Sequence, residues 1–127
     1  MGKAAPHILV VDDNPGIRLL LTEALTGSGY KVETAASGAE AINQVRDLIP
    51  ELILLDVKMP KLSGLETLAE IHKLAPGVPV IMMTAYSEMS QVWCAIETGQ
   101  IECFLKKPFD LFELEERIKN VLSTLAK

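Results

Sequence analysis

Leu52-Ile53-Leu54-Leu55 is an unbroken apolar run that stops at Asp56. Successive side chains of a strand point to opposite faces, so a run like this has no face to offer water. It belongs in the middle of a parallel sheet covered on both sides. The pattern recurs on either side. His7-Ile8-Leu9-Val10-Val11 stops at Asp12, and Val80-Ile81-Met82-Met83 stops at Thr84. Tyr30 to Ala35 alternates in polarity and reads as another strand. Cys103-Phe104-Leu105-Lys106 reads as a fifth, followed by Lys107.

Between these runs the apolar period changes from two to about 3.6. Ile17, Leu20, Leu21, Ala24 and Leu25 predict a helix that Gly27 and Gly29 end. Ala41, Ile42, Val45 and Leu48 predict a second, with Pro50 past its end. Ser63 with Glu66 is a capping-box pattern opening a helix that carries Leu65, Leu68 and Ala69, closed by Pro76-Gly77. Val92, Ala95, Ile96 and Gly99 mark a fourth helical segment. Asp110 with Glu113 is a second capping-box pattern, ahead of Leu114, Ile118, Val121, Leu122 and Leu125. The order is strand then helix, five times. It predicts an α/β fold, (βα)5, with a doubly wound, parallel five-stranded sheet and right-handed crossovers. The whole chain, residues 1–127, reads as a single domain.

The bulk properties exclude several classes. The formal net charge is −5, with no basic stripe for nucleic acid. No apolar run approaches the roughly 18 residues that span a bilayer. Met1 to Pro6 lacks the apolar stretch of a secretory signal. Cys94 and Cys103 have neither metal-type nor disulfide-framework spacing. Two free thiols in a cytoplasmic protein is the expectation.

The polar residues that stop the strands carry the chemistry. In an open parallel sheet all the C-terminal strand ends lie on one edge. With the flavodoxin-like strand order 2-1-3-4-5, ligands enter between strands one and three. That order gathers Asp12, Asp13 and Asp56. Three clustered carboxylates repel one another and push at least one pKa upward. A hard divalent cation resolves the conflict, and Mg²⁺ is the natural choice because it takes a few carboxylates and keeps several waters. An aspartate is also a covalent phosphoryl acceptor. Asp56 is then the nucleophile, with Lys107 and the Thr84 hydroxyl left to hold phosphoryl oxygens. Singly these residues say little, since an Asp-Asp after a strand is commonly a turn or a helix cap. Five of them on one sheet edge argue for a site.

Val10-Val-Asp-Asp13, Asp56-Val-Lys-Met-Pro60 with Gly64, Thr84-Ala85 and Lys107-Pro-Phe109 resemble response-regulator receiver domains, the CheY-like fold, over nearly the whole chain. Gly16-Ile-Arg18, Lys58 and Met83-Thr-Ala-Tyr86 resemble the sporulation-phosphorelay type in particular. The resemblance implies that Asp56 is the phosphoacceptor. It implies that Asp13 and Asp56 bind Mg²⁺ directly, Asp12 through water and Lys58 through its backbone carbonyl. Thr84 and Lys107 would hold the phosphoryl group, and Lys107-Pro108 would be cis. Phe104 falls at the aromatic switch position that responds when Thr84 moves; an ordinary core aromatic is the other reading. Gly99 to Lys107 is one step longer than usual in receivers, and Gln100 stands where Ala is usual, which leaves the entry into strand five open.

The resemblance also implies partners: a sensor histidine kinase or histidine phosphotransferase, and a downstream phosphotransfer protein or output domain. Asn14, Pro15, Gly16, Ile17 and Leu20 would form the docking surface for the donor's histidine-bearing helices, unless Ile17 and Leu20 simply face the core. Trp93, with Tyr86 and Met89, is either an output surface or half-buried packing. A monomer or weak homodimer is expected. His7 and His72 read as structural or exposed.

Two other functions compete, and within the receiver reading one alternative stays open. A haloacid-dehalogenase-type phosphatase uses a similar kit, but its nucleophile comes first in the chain and its acidic pair last; the order here is reversed. A flavin- or nucleotide-binding module would need a Gly/Ser/Thr-rich loop where Asp12-Asp13-Asn14-Pro15 stands. The chain is either a stand-alone relay protein, which the resemblance favours, or the N-terminal receiver of a larger DNA-binding regulator.

Overall fold

The computed structural model describes residues 7–59, 61–85, 101, 103–107 and 109–125. The strands are β1 (His7–Val11), β2 (Lys31–Ala35), β3 (Leu52–Asp56), β4 (Val80–Thr84) and β5 (Cys103–Lys106). The described helices are α1 (Pro15–Gly27), α2 (Gly38–Asp47), α3 (Gly64–Leu74) and α4 (Leu111–Leu125). The expected helix through Val92 and Ile96 lies outside the described residues.

All neighbouring strands are parallel, in the order β2-β1-β3-β4-β5. The all-apolar runs take the inner places as their composition requires. Every residue of β3 and β4 is buried. The alternating β2 lies at the edge, with Lys31 and Glu33 exposed. Period-two alternation divides the core into two layers. Leu9, Val11, Ile53, Leu55 and Met82 pack with Ala41 and Val45 of α2 and Leu68 and Ile71 of α3. Ile8, Val10, Leu52, Leu54, Ile81 and Met83 pack with Leu21 and Leu25 of α1 and Leu114, Ile118 and Val121 of α4.

The helix ends follow local chemistry. Asn14 caps α1, its side-chain oxygen accepting the N–H groups of Gly16 at 2.8 Å and Ile17 at 3.2 Å, with Pro15 in the first turn where its missing N–H costs nothing. The box predicted at Ser63 and Glu66 is present in both directions. At α4 the Glu113 N–H donates to Asp110 Oδ1 at 2.7 Å.

Three expectations need correction, and for Leu20 the core-facing alternative falls. Tyr30 is not in β2; it stands one residue ahead, half-buried against the core. Leu48 is not on the buried face of α2: the helix stops at Asp47, and Leu48 caps it with extended backbone, 59% exposed. Ala69 points to solvent; Thr67 and Ile71 take the inner face of α3. Leu20 is 51% exposed, whereas Leu21 and Leu25 carry the buried stripe of α1. Spacing alone cannot separate Leu20 from Leu21, because adjacent helical positions both fall near an apolar stripe.

Gly64, the first residue of α3, is pressed against the backbone of β3's end. A Cβ there would collide with the Asp56 carbonyl oxygen and the Val57 backbone. Gly64→Ala should therefore destabilise the fold by about 1–3 kcal/mol, the usual cost of overpacking, read as a lower thermal midpoint. An unchanged midpoint would contradict this close approach.

Candidate functional site

The strand register builds the site. Val11 is paired with Leu55, so Asp12 follows at the level of Asp56. Asp56 lies opposite Met83, and Met83 opposite Leu105. Strand alternation puts Asp12, Asp56 and Lys107 on the α1/α4 side of the sheet edge. Thr84 falls on the other side, two residues on from Met82, which is paired with Phe104.

The sequence-predicted charges meet. The carboxylates of Asp12, Asp13 and Asp56 each offer an oxygen within 4.8 Å of the others. Lys107 Nζ lies 2.9 Å from Asp56 Oδ1 and 3.4 Å from Asp12 Oδ2. Asp12 is 1% exposed and Asp56 5%, while Asp13 is exposed. Asp12 is fixed on several sides. Its N–H donates to the Ala35 carbonyl at 3.1 Å, Oδ1 accepts the Asn14 N–H at 2.9 Å, and its carbonyl accepts Arg18 Nη1 at 2.7 Å.

Burial pushes the Asp56 carboxyl above its ordinary value, and Asp12 and Asp13 push the same way against the attraction of Lys107. For Lys107, burial works to lower the pKa, but the Asp56 and Asp12 carboxylates outweigh it and the ammonium is held. Three carboxylates against one ammonium leave two negative charges. All the free ligand atoms are hard oxygens. A divalent oxygen-seeking cation fits this donor set in charge and in chemistry.

The raised Asp56 pKa has a consequence for stability. The folded state holds this proton more tightly than the unfolded chain does. Its stabilising share is present below the ordinary carboxylate pKa and is lost as pH rises through the folded pKa. Asp56→Asn removes the ionised buried carboxylate. Without divalent ions, the variant should melt above wild type at pH 7, and the gap should close in acid. A gap that persists unchanged in acid would contradict the assignment.

Other site calls fall as follows. The Thr84 side chain is fully buried, and its hydroxyl donates to the Ala85 carbonyl at 3.0 Å rather than to the charged cluster. Its carbonyl accepts the Lys107 N–H at 2.7 Å, which fixes the end of β5 and settles its register. Lys58 lies in the loop after β3 with an exposed side chain. Phe104 is half-buried and packs on the α2/α3 layer. Asn14, Pro15 and Gly16 are exposed, and Ile17 is half-buried. His7 is largely buried at the start of β1, and His72 is half-buried on α3. Tyr86, Met89, Trp93, Gln100 and Pro108 lie outside the described residues.

Two features were not assigned from sequence. Phe109 lines a hollow of about 370 Å³ with Ile17, Leu20, Leu21 and Lys107, at the mouth of the site. An apolar residue after Lys107 carries no signal of this in isolation. Lys61 has φ +67° in the loop that joins β3 to α3, a left-handed conformation that only the fold reveals.

The comparisons with known proteins agree with this geometry. Residues 8–119 match the family described as response regulator receiver domain. The chain is 39% identical over 115 residues to sporulation initiation phosphotransferase F of Bacillus subtilis, covering 91% of this chain and 92% of that protein. It is 40% identical over 116 residues to the transcriptional regulatory protein ZraR of Escherichia coli, covering 91% of this chain. It spans only about a quarter of the length of that regulator, 26%, and 28% of the similar regulator GlrR. Among solved structures it resembles the receiver domain of NtrX from Brucella abortus, with TM-score 0.86, 34% identity and coverage of 92% and 98% of the two chains. It also resembles the chemotaxis protein CheY4 of Vibrio cholerae, with TM-score 0.85, 29% identity and coverage of 93% and 99%. A five-stranded parallel sheet in this order, an acidic cluster at its carboxyl edge and these matches together have one meaning: the chain belongs to the receiver domains of two-component response regulators.

Proposed function

We propose that Asp56 accepts a phosphoryl group from the phosphohistidine of a sensor histidine kinase or a histidine phosphotransferase. The observation that carries this is the 2.9 Å contact of Lys107 Nζ with Asp56 Oδ1 inside a cluster of three carboxylates. Asp12, Asp13, Asp56 and the Lys58 carbonyl would hold Mg²⁺. When bound there, the ion would supply charge neutralisation for the carboxylates and the transferring phosphoryl group.

The chain's own residues do the rest. Lys107 withdraws proton affinity from Asp56 and keeps a carboxylate oxygen available for attack. That oxygen forms a bond to phosphorus as the bond to the histidine nitrogen breaks, and the nitrogen keeps the electron pair. The Lys107 ammonium follows the negative charge onto the phosphoryl oxygens. Thr84 leaves the Ala85 carbonyl and donates its hydroxyl to another of those oxygens. Phe104, on the same side of the sheet as Thr84, packs differently in consequence, and the two together report the phosphorylated state to a partner-binding face. Tyr86 and Trp93 belong to that face in this reading.

The protein works as one signalling domain over residues 1–127, in the cytoplasm, and turns over no external substrate. Among the described residues no helix is long and apolar enough to cross a membrane. The full-length similarity to a sporulation phosphotransferase supports passing the phosphoryl group onward, whereas the similarity to ZraR supports control of an attached output domain. The exposed Leu20 beside Asn14, Pro15, Gly16 and Ile17 supports donor docking at this end of α1. Leu20→Glu should slow transfer from a protein donor about tenfold while leaving phosphorylation by acetyl phosphate unchanged; equal loss with both donors would reject the docking surface.

The test is intact-mass spectrometry after incubation with acetyl phosphate and Mg²⁺. One added phosphate on wild type and none on Asp56→Asn is the expected result. Phosphate on both, or sustained hydrolysis of an aryl phosphate, would overturn the reading.

A further inference from the structure

We propose that Arg18 is a positioning residue for the divalent-cation site: it holds the peptide that joins Asp12 to Asp13 and so aims both carboxylates at one ion. The inference rests on the cation reading above and concerns a residue that touches neither the ion nor the phosphoryl group.

The argument starts from what holds each carboxylate. Asp56 is the last residue of a fully buried strand, paired on both sides. Asp12 has its own anchors at Ala35, Asn14 and Lys107. Asp13 differs: it is exposed, and among the described residues its side chain has no hydrogen bond or ion pair. Its direction is therefore set by its backbone. The preceding peptide carries the Asp12 carbonyl, and that oxygen accepts Arg18 Nη1 at 2.7 Å. Turning this peptide would swing Asp13 away from Asp56. A short, charge-assisted bond from a guanidinium resists that turn better than a neutral donor would.

Arg18 is well placed to bear the load. It lies one turn into α1, where its N–H bonds to the Asn14 carbonyl at 3.1 Å and its carbonyl accepts the Thr22 hydroxyl at 2.7 Å. Long helical side chains lean toward the helix N-terminus, which carries this one back to the acidic loop. Its half-buried position keeps the bond out of bulk water.

The sign of the effect separates positioning from simple charge. A cation beside the loop repels Mg²⁺. If charge were all that Arg18 contributed, its removal would tighten Mg²⁺ binding. Positioning requires the opposite, on the scale of other outer-shell partners of metal ligands, about tenfold or more.

The experiment is calorimetric titration of Mg²⁺ into the full chain, in the absence of any phosphodonor. Wild type is compared with Arg18→Met and Arg18→Lys, and circular dichroism checks the fold. Weakening by about tenfold in Arg18→Met, with most of the affinity restored in Arg18→Lys, is expected. Should Arg18→Met fail to fold, the Lys variant decides: it should bind more weakly than wild type by a factor of a few, since one flexible donor replaces a fork. Unchanged or tighter binding in a folded variant overturns the proposal while leaving the cation reading intact. A wild type that takes no Mg²⁺ overturns both.

Discussion

Lys107→Met should lower the rate of Asp56 phosphorylation by a hundredfold or more, with either acetyl phosphate or a phosphohistidine donor. Among the described residues the ammonium is the one cationic side chain bonded to the carboxylate oxygens of the acidic cluster, and it touches both Asp56 and Asp12. Charge develops on the phosphoryl oxygens during transfer, and a preorganised donor in a water-poor site is worth about 10²–10³ in rate. Methionine keeps the apolar stem and most of the length, so the lining of the hollow shared with Ile17, Leu20 and Phe109 is little changed. Rates come from intact-mass time courses at saturating Mg²⁺. A loss of less than threefold would remove Lys107 from the reaction. The variant also leaves Asp56 buried without its partner, so it should lose stability at neutral pH, by about 1–3 kcal/mol.

Asp13→Asn should have the second large effect, on Mg²⁺ affinity rather than on the fold. Asp13 is exposed, so its carboxylate contributes little to folding. Among the described residues it is also one of three carboxylates that converge. Replacing a charged ligand by a neutral one should weaken Mg²⁺ binding by at least tenfold. Because a ligand that binds only the folded state stabilises it by mass action, excess Mg²⁺ should raise the melting midpoint of wild type and hardly move that of Asp13→Asn. Equal Mg²⁺-dependent shifts in the two proteins would place the cation elsewhere.

How much of this was legible beforehand divides along physical lines. The runs at His7–Val11, Leu52–Leu55 and Val80–Met83 could be read directly, because a strand buried on both faces must be apolar throughout. The acidic cluster followed from the strand order, since that order alone determines which strand ends are neighbours. Ser63 and Glu66 were legible because a capping box is a local contact. What the sequence concealed depends on backbone geometry and polar contacts that apolar spacing does not record. Thr67 is wholly buried because its hydroxyl donates to the Ser63 carbonyl at 2.8 Å, a solution that apolar periodicity does not count. Leu48 counts as apolar in any pattern, yet the helix ends before it and leaves it in solvent. The reach of Arg18 back to Asp12, and the left-handed backbone of Lys61, belong to loop geometry that no spacing encodes.

The site therefore reads as an electrostatic problem with a built-in solution. The fold forces three carboxylates together and supplies one ammonium, which leaves room for two positive charges. Everything proposed for Asp56 as an acceptor depends on that excess of negative charge being neutralised by an ion at this place.

Paramagnetic broadening by Mn²⁺, a probe of the same oxygen-ligand class, tests that point most directly. Added in small amounts to the isotopically labelled protein, it should first erase the amide signals of Asp12, Asp13, Asp56 and Val57, and excess Mg²⁺ should restore them. Broadening centred on any other part of the molecule, or none that Mg²⁺ reverses, would contradict the account.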